Sequence, residues 1–378
     1  MRLPELVLLA LLAVCSLYHL AALLAALGRA RPRPGRNARP FTPPVSVLKP
    51  VRGLDPDFYA AIRSHAAQDY PEFELLFAVR DPADPAVGAI RRLAAEFPQR
   101  RIDVFFTSRD YGANAKVNSL ERLRAECRYD ILVINDSDIL AGPDYLRRVV
   151  APLEKKETGL VTCLYRGVPA GGLASVLEGL WISTDFQPGV LVARALGMRF
   201  ALGATMALRR ADLEQIGGFA PLADYLADDY QLGKAITARG FDIALSDCVV
   251  ETMLPRQPWA ENWRHRLRWG RTLRVCRPAG YAGMAITFAV PIVIAAVALQ
   301  PSLWPEAMLC LGLRAAAAIA VGCMKLRDRA VVRYFLLIPL ADLASFAVWA
   351  ASLFGRRVVW RSQSFRLQRG GRLAKESS

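Results

Sequence analysis

The sequence predicts an α/β protein, a mostly parallel sheet covered by helices and flanked at both ends by transmembrane helices. Three observations carry that expectation. Between residues 44 and 258 short apolar runs alternate with amphipathic stretches of helical period. Four long apolar segments are confined to the two ends of the chain. Arginines crowd the boundaries of those segments.

Taken in order, residues 3–27 are almost continuously apolar, broken by Glu5 near the start and by His19. That run is too long for the apolar core of a cleaved leader and lacks a small-residue cleavage site, so residues 1–28 read as an uncleaved anchor. GRARPRPGRNARP follows, with Arg29, Arg31, Arg33, Arg36 and Arg39 and no acid. Its prolines make 29–43 an extended basic linker. Positive charge of this kind is retained in the cytoplasm, which places the middle of the chain there.

Strands are expected at 45–49, 73–79, 102–106, 130–134 and 159–163, and helices at 55–67, 84–97 and 116–126. Such alternation makes successive strands parallel and puts ligands at their carboxyl ends. This domain spans 44–258. Residues 259–280, rich in Arg and Trp, read as an amphipathic interfacial helix. Three membrane segments are expected within 281–355, at 281–300, 302–324 and 334–354, and then a basic tail over 356–378. Three simple crossings would leave that tail opposite the middle domain, while its arginines argue for the same side. One segment therefore dips in and returns, and the last, with Pro339 and Asp342, is the candidate.

The totals narrow the function. The 378 residues are 53% hydrophobic with net charge +15. The basic surplus hugs membrane boundaries while the motifs are acidic, which argues against nucleic acid as partner. Seven cysteines are scattered without a C-x-x-C pair, so neither a disulfide framework nor a zinc site is expected.

The chemistry gathers where strands end. Residues 73–79 run into Arg80-Asp81-Pro82-Ala83-Asp84-Pro85, and 130–134 into Asn135-Asp136-Ser137-Asp138. A later helix opens on Asp228-Asp229. Asp81 and Asp84 also suit a turn or cap, and Asp228 and Asp229 a helix start. Asp136 and Asp138 are different, because two carboxylates at the end of a buried strand repel each other unless a cation or donors compensate. A hard divalent ion takes such oxygens and shares them with phosphate. Lys116, within Asn114–Asn118, and the Arg268–Trp269 pair add groups suited to a diphosphate, although an Arg/Trp helix beside a membrane segment also serves as an interfacial belt.

The ordered series LKPVRGLDP (48–56), VRDPADPA (79–86), NAKVN (114–118), NDSD (135–138), DDY (228–230) and HRLRW (265–269), closing on WRSQSFRLQRGG, resembles the ceramide glucosyltransferases and their bacterial relatives over residues 3–372. The resemblance implies a GT-A nucleotide-sugar-binding domain. It implies Asp81 or Asp84 as the first motif aspartate near the nucleotide, with Lys116, Asp136 and His265 also on the nucleotide sugar. Asp136 and Asp138 would hold Mg²⁺ or Mn²⁺, and Asp229 would be the catalytic base, with Arg268 and Trp269 from the final (Q/R)xxRW motif. His265 stands where Gln or Arg is usual. The implied enzyme is an inverting membrane hexosyltransferase passing glucose from a UDP-sugar to a ceramide-like lipid, with its catalytic domain cytoplasmic and the chain in a bacterial inner membrane. CLYRGVPAGG (163–172), GATMALRR (203–210) and His265 look like the hopanoid-associated branch, which implies as alternative N-acetylglucosamine transfer to a hopanoid lipid. A processive polysaccharide synthase ranks lower, because the chain has few spans for a polymer channel.

Overall fold

The computed structural model describes residues 3–28, 41–360 and 363–375. The arginines at 29–39 expected to form the linker lie outside the described residues. One eight-stranded sheet is built from β1 (Val45–Pro50), β2 (Phe73–Val79), β3 (Arg101–Phe106), β4 (Ile131–Ile134), β5 (Ile139–Leu140), β6 (Thr158–Pro169), β7 (Met206–Arg209) and β8 (Asp242–Leu254), in the order β3-β2-β1-β4-β7-β6-β8-β5. β1, β2, β3 and β4 run parallel, as do β6 and β8. β7 enters antiparallel between β4 and β6, and β5 antiparallel at the edge of β8. The sheet is therefore mostly parallel but mixed. The antiparallel β7 and the two-residue β5 are too short to stand out as apolar runs.

The central strands read as continuous apolar runs because both faces are covered. Val45 and Val47, Phe73, Leu75 and Phe77, and Ile131 and Val133 point into one core; Leu48, Leu76, Leu132 and Ile134 point into the other. The helix Ala86–Glu96 closes the first core with Val87, Ile90 and Leu93, and the helix Ala115–Arg124 closes the second with Val117, Leu120 and Leu123. Each such side chain contributes roughly 1.5–3 kcal/mol by leaving water.

Among the described residues three helices are long and apolar enough to cross a membrane: Leu3–Leu27, Pro301–Lys325 and Phe335–Ser352. Pro278–Thr287 and Ala289–Leu299 form a further apolar pair, bent by 60°. The first half of Leu3–Leu27 packs through Leu12 and Cys15 on Val293, Ala296, Leu303 and Cys310, whereas Ala25 and Ala26 reach the sheet core. Pro301–Lys325 runs back to the domain, where the Leu326 and Arg327 carbonyls accept from Arg166 at 2.6 and 2.7 Å and Ser183 donates to Asp328 at 2.6 Å.

Phe335–Ser352 differs from the others. At its start Val331 and Ile338 pack on Leu177 and Leu180. At its end Ser352 meets Tyr281, and Arg274 donates to the carbonyls of Leu353 and Gly355. Its start is fastened to the sheet domain and its end to the connector helix Trp259–Cys276 and to Tyr281 just beyond it. The helix Trp259–Cys276 is a packed connector along the domain, burying Asn262, Arg266, Gly270 and Thr272.

The tail is a folded element. β9 (Arg357–Trp360), β10 (Gln363–Leu367) and β11 (Leu373–Lys375) form an antiparallel sheet whose Val358, Phe365, Leu367 and Leu373 pack on Leu226 of the domain. This arrangement yields a topological prediction. In a functional form whose native cysteines are replaced, Cys introduced at Ser302 and at Arg356 should react with a membrane-impermeant maleimide from opposite sides of sealed vesicles. Labelling of both from one side would contradict the out-and-back path of residues 278–325.

Candidate active site

Because β1, β2 and β4 are parallel neighbours, the loops at their carboxyl ends meet. The Gly53 N–H donates to Asp84 Oδ2 at 2.8 Å and the Ala86 N–H to Asp84 Oδ1 at 2.9 Å, so Asp84 staples the β1 and β2 loops. Asp81 is exposed and accepts the Ala83 N–H at 2.9 Å, capping its own turn. Ser137 donates to Asp55 at 2.5 Å, tying the β4 loop to the same place. Lys49, fully buried at the end of β1, donates to the Asp136 carbonyl at 3.1 Å. Burial pulls its ammonium down to about 7, against the pull of Asp138 and Asp136.

The NAKVN stretch is the start of a helix and a brace. Asn114 caps Ala115–Arg124 by accepting the Lys116 and Val117 N–H groups at 2.9 and 3.2 Å, and its amide donates to the Tyr225 carbonyl at 2.7 Å. Asn118 accepts the Tyr111 N–H at 2.9 Å and donates to Asp110 at 3.1 Å. With the helix start held on both sides, Lys116 Nζ sits 2.7 Å from Asp136 and 3.4 Å from Asp228. Burial alone would lower this ammonium; Asp136 and Asp228 outweigh it and hold the proton firmly.

Two carboxyls of this group are raised. Asp138 is pushed up to about 6 by burial and by Asp136, although Thr252 of β8 donates to it at 2.5 Å. Asp229 is pushed up to about 6 by burial and by Asp228, against Lys116 and the Tyr230 N–H that it accepts at 2.7 Å. A Cβ on Gly203 would lie 3.2 Å from Asp229 Oδ2, so glycine there makes room for the carboxyl.

The helix Trp259–Cys276 supplies the other wall. His265 Nδ1 lies 3.1 Å from buried Glu178, which also accepts from Asn262 at 2.5 Å. Trp269 packs edge-on to His265 (5.4 Å between centroids) and Trp181 (5.8 Å), and lies 6.4 Å from Phe186. Arg268 is half-buried, and its carbonyl accepts the Thr272 hydroxyl at 2.8 Å. Tyr165 joins the two walls. Its ring is 5.8 Å from Phe186, and its phenol is pushed up by burial and then by Asp229, Asp136, Glu178 and Asp138.

Lys116, Asp136 and Asp228 are thus in direct contact. Asp138 and Asp229 share their field, Asp84 reaches them through the β1 loop, and His265 and Trp269 through Phe186 and Tyr165. Sequence reasoning assigned no role to Lys49, Thr252, Glu178 or Tyr165. Lys49 and Glu178 had a signal, each being a lone charge in a buried apolar run; Thr252 and Tyr165 had none, because their positions depend on how β6 and β8 pair.

The residues fit a divalent ion shared with substrate. Asp138 is a desolvated carboxyl beside a second carboxyl, which a cation would relieve. Among the described residues no three His, Cys, Asp or Glu side chains gather to hold an ion unaided. Such a pair suits Mg²⁺ or Mn²⁺ completed by diphosphate oxygens and water.

Among curated proteins the chain is 30% identical to ceramide glucosyltransferase 1 of Caenorhabditis elegans over 208 residues, 55% of this chain and 45% of that protein. It is 33% identical to the ceramide glucosyltransferase of Candida albicans over 121 residues, 29% of this chain and 22% of that one. The chain thus spans less than half the length of these relatives. Among solved structures, a mannosyltransferase of Pyrobaculum calidifontis in complex with GDP-Man and Mn²⁺ superposes with TM-score 0.52 at 21% identity, covering 92% of this chain and 99% of that one, and shares the GT-A fold. The family model for glycosyl transferase family 21 matches residues 6–373. The chain belongs to glycosyl transferase family 21.

Proposed function

We propose that the protein transfers glucose from UDP-glucose to a hydroxyl of a ceramide-like membrane lipid, with inversion, at the cytoplasmic surface of the membrane. The observation that carries this reading is the meeting of Lys116, Asp136 and Asp228, with Asp138 and Asp229 beside them, at the carboxyl end of a GT-A sheet whose flanks are apolar helices. The ceramide glucosyltransferase relatives support the lipid acceptor.

The roles follow from the chemistry. Lys116 and Arg268 offset negative charge on the leaving diphosphate. Asp138 with Asp136 would hold Mg²⁺ or Mn²⁺, which would supply neutralising charge for the same group. Asp84 keeps the β1 and β2 loops together where the nucleoside lies. Asp229, raised and desolvated, takes the proton of the lipid hydroxyl as it attacks the anomeric carbon from the face opposite the diphosphate. One displacement converts an α-linked donor into a β-linked product. Trp269, half-buried on the facing wall, is the flat apolar surface offered to the sugar ring, and buried Tyr165 backs it through Phe186. The deciding experiment offers the purified protein UDP-glucose and UDP-N-acetylglucosamine with ceramide and a polyhydroxylated hopanoid, and reads the product by mass spectrometry. Glucosylceramide is expected; a hopanoid product would replace this acceptor assignment.

Asp229→Asn should lower transfer by about 10²–10⁴-fold while UDP binding, measured by calorimetry, stays within a few-fold. The active form of Asp229 is the carboxylate. Its raised pKa means that kcat/KM should fall about tenfold per pH unit as pH drops below about 6; a flat profile down to pH about 4 would remove Asp229 as the base. Mn²⁺ titrated into the protein should bind weakly alone and at least about tenfold more tightly with UDP present, because diphosphate oxygens complete the ion's shell. Asp138→Asn should abolish that difference.

A further inference from the structure

A second polar cluster lies where the domain meets the apolar helices, and the site above leaves it unused. Arg314 of Pro301–Lys325 is 3% exposed and forks onto Asp342, with Nη2 at 2.6 Å from Oδ1 and Nε at 3.0 Å from Oδ2. Its Nη2 also donates to Thr184 at 3.1 Å. Arg266, 4% exposed, donates to Ser345 at 2.8 Å and lies over the Trp181 ring at 4.8 Å. Asp185 feels the charges of Asp342, Arg314 and Arg266. Three atoms of this cluster are shut off from solvent without a hydrogen-bond partner among the described residues: Arg314 Nη1, Arg266 Nε and Asp185 Oδ2.

Unpartnered charged groups at such depth are costly, and a fold keeps them where something else satisfies them. Two π-helical turns, Ile182–Phe186 and Ile319–Lys325, flank the cluster, and turns of that kind recur at functional sites. The first turn carries Asp185 and Phe186 as neighbours. Phe186 touches Trp269 and Tyr165, and Tyr165 stands in the field of Asp229. Packed side chains therefore link the first turn to Tyr165, which stands in the field of Asp229.

The charge balance selects the ligand class. Arg314 is neutralised by Asp342, and Arg266 is offset by Glu178 and then by Asp185, so a phosphate head would bring charge with nothing to oppose it. What is left over is two N–H donors and one carboxylate acceptor. These suit a neutral head bearing hydroxyl and amide, or several hydroxyl, groups.

We propose that Arg314, Arg266 and Asp185 form the subsite that binds the neutral, hydrogen-bonding head group of the lipid acceptor and delivers its reacting hydroxyl past Phe186 and Tyr165 to Asp229. This rests on the lipid-acceptor reading given above. The test is steady-state kinetics of the full-length protein and of Asp185→Asn in nanodiscs, with ceramide and with dodecanol, a single-hydroxyl alcohol, as acceptors. Asp185→Asn should raise the KM for ceramide about tenfold, the loss of one hydrogen bond to a charged group, with the KM for UDP-glucose unchanged. The variant should handle dodecanol as the unaltered protein does, because that alcohol lacks the groups the subsite binds. Arg266→Lys, which keeps the charge and removes Nε, should show the same split. Equal losses with both acceptors, or an unchanged ceramide KM in an active variant, would overturn the subsite. Failure of the unaltered protein to glycosylate any lipid would overturn the acceptor reading itself and this subsite with it.

Discussion

The structure turns on one ammonium group. Lys116 stands between Asp136 and Asp228, carboxylates that come from segments far apart in the chain and that would repel each other in a partly buried cleft. Without it, Asp136, Asp138, Asp228 and Asp229 would crowd four carboxylates into one sheet edge with no cation among them. With it, Asp136 and Asp228 are paired, while Asp138 and Asp229 are raised by burial and by their carboxylate neighbours. The helix that carries Lys116 is held by Asn114 and Asn118, so the ammonium is placed by hydrogen bonds rather than by its own flexible stem.

Much of this was legible in the sequence. β1, β2, β3 and β4 read clearly because each is an apolar run, and the motif aspartates read clearly because they interrupt those runs at a strand end. The antiparallel β7 was not legible, since four residues carry no measurable period. Nor was the extension of β6 to Pro169, whose later residues pair with β8 in a register that nothing local signals. The Asp84 carboxylate illustrates a finer limit. Sequence marked it as a motif residue, but only the fold shows both its oxygens taken by backbone N–H groups. The tail was read as basic, which it is; its folding onto Leu226 follows from alternating Val358, Phe365 and Leu367, a pattern masked by the arginines between them.

The domain and the apolar helices are one unit. Arg166 binds the turn after Lys325, Arg274 binds the end of Phe335–Ser352, and the aromatic group of Trp181, Phe186 and Trp269 lies between that boundary and the carboxylates. Polar groups recur along it because a helix packed on a soluble domain can bury a charge that lipid would not tolerate. The same joint leaves the outer halves of Leu3–Leu27 and Pro301–Lys325 apolar and exposed, as helices that face hydrocarbon require.

The docking of the tail sheet has a consequence for the loops above it. The Leu226 N–H reaches the Gly371 carbonyl, the Leu373 N–H reaches the Asp224 carbonyl, and the Asp224 carboxylate also accepts from Ala113, so the loops leading to Asp228 and to Lys116 are clasped by one small antiparallel sheet. A carboxylate-bearing and an ammonium-bearing segment far apart in the chain thereby share a single mechanical anchor, and loosening that anchor would slacken both at once.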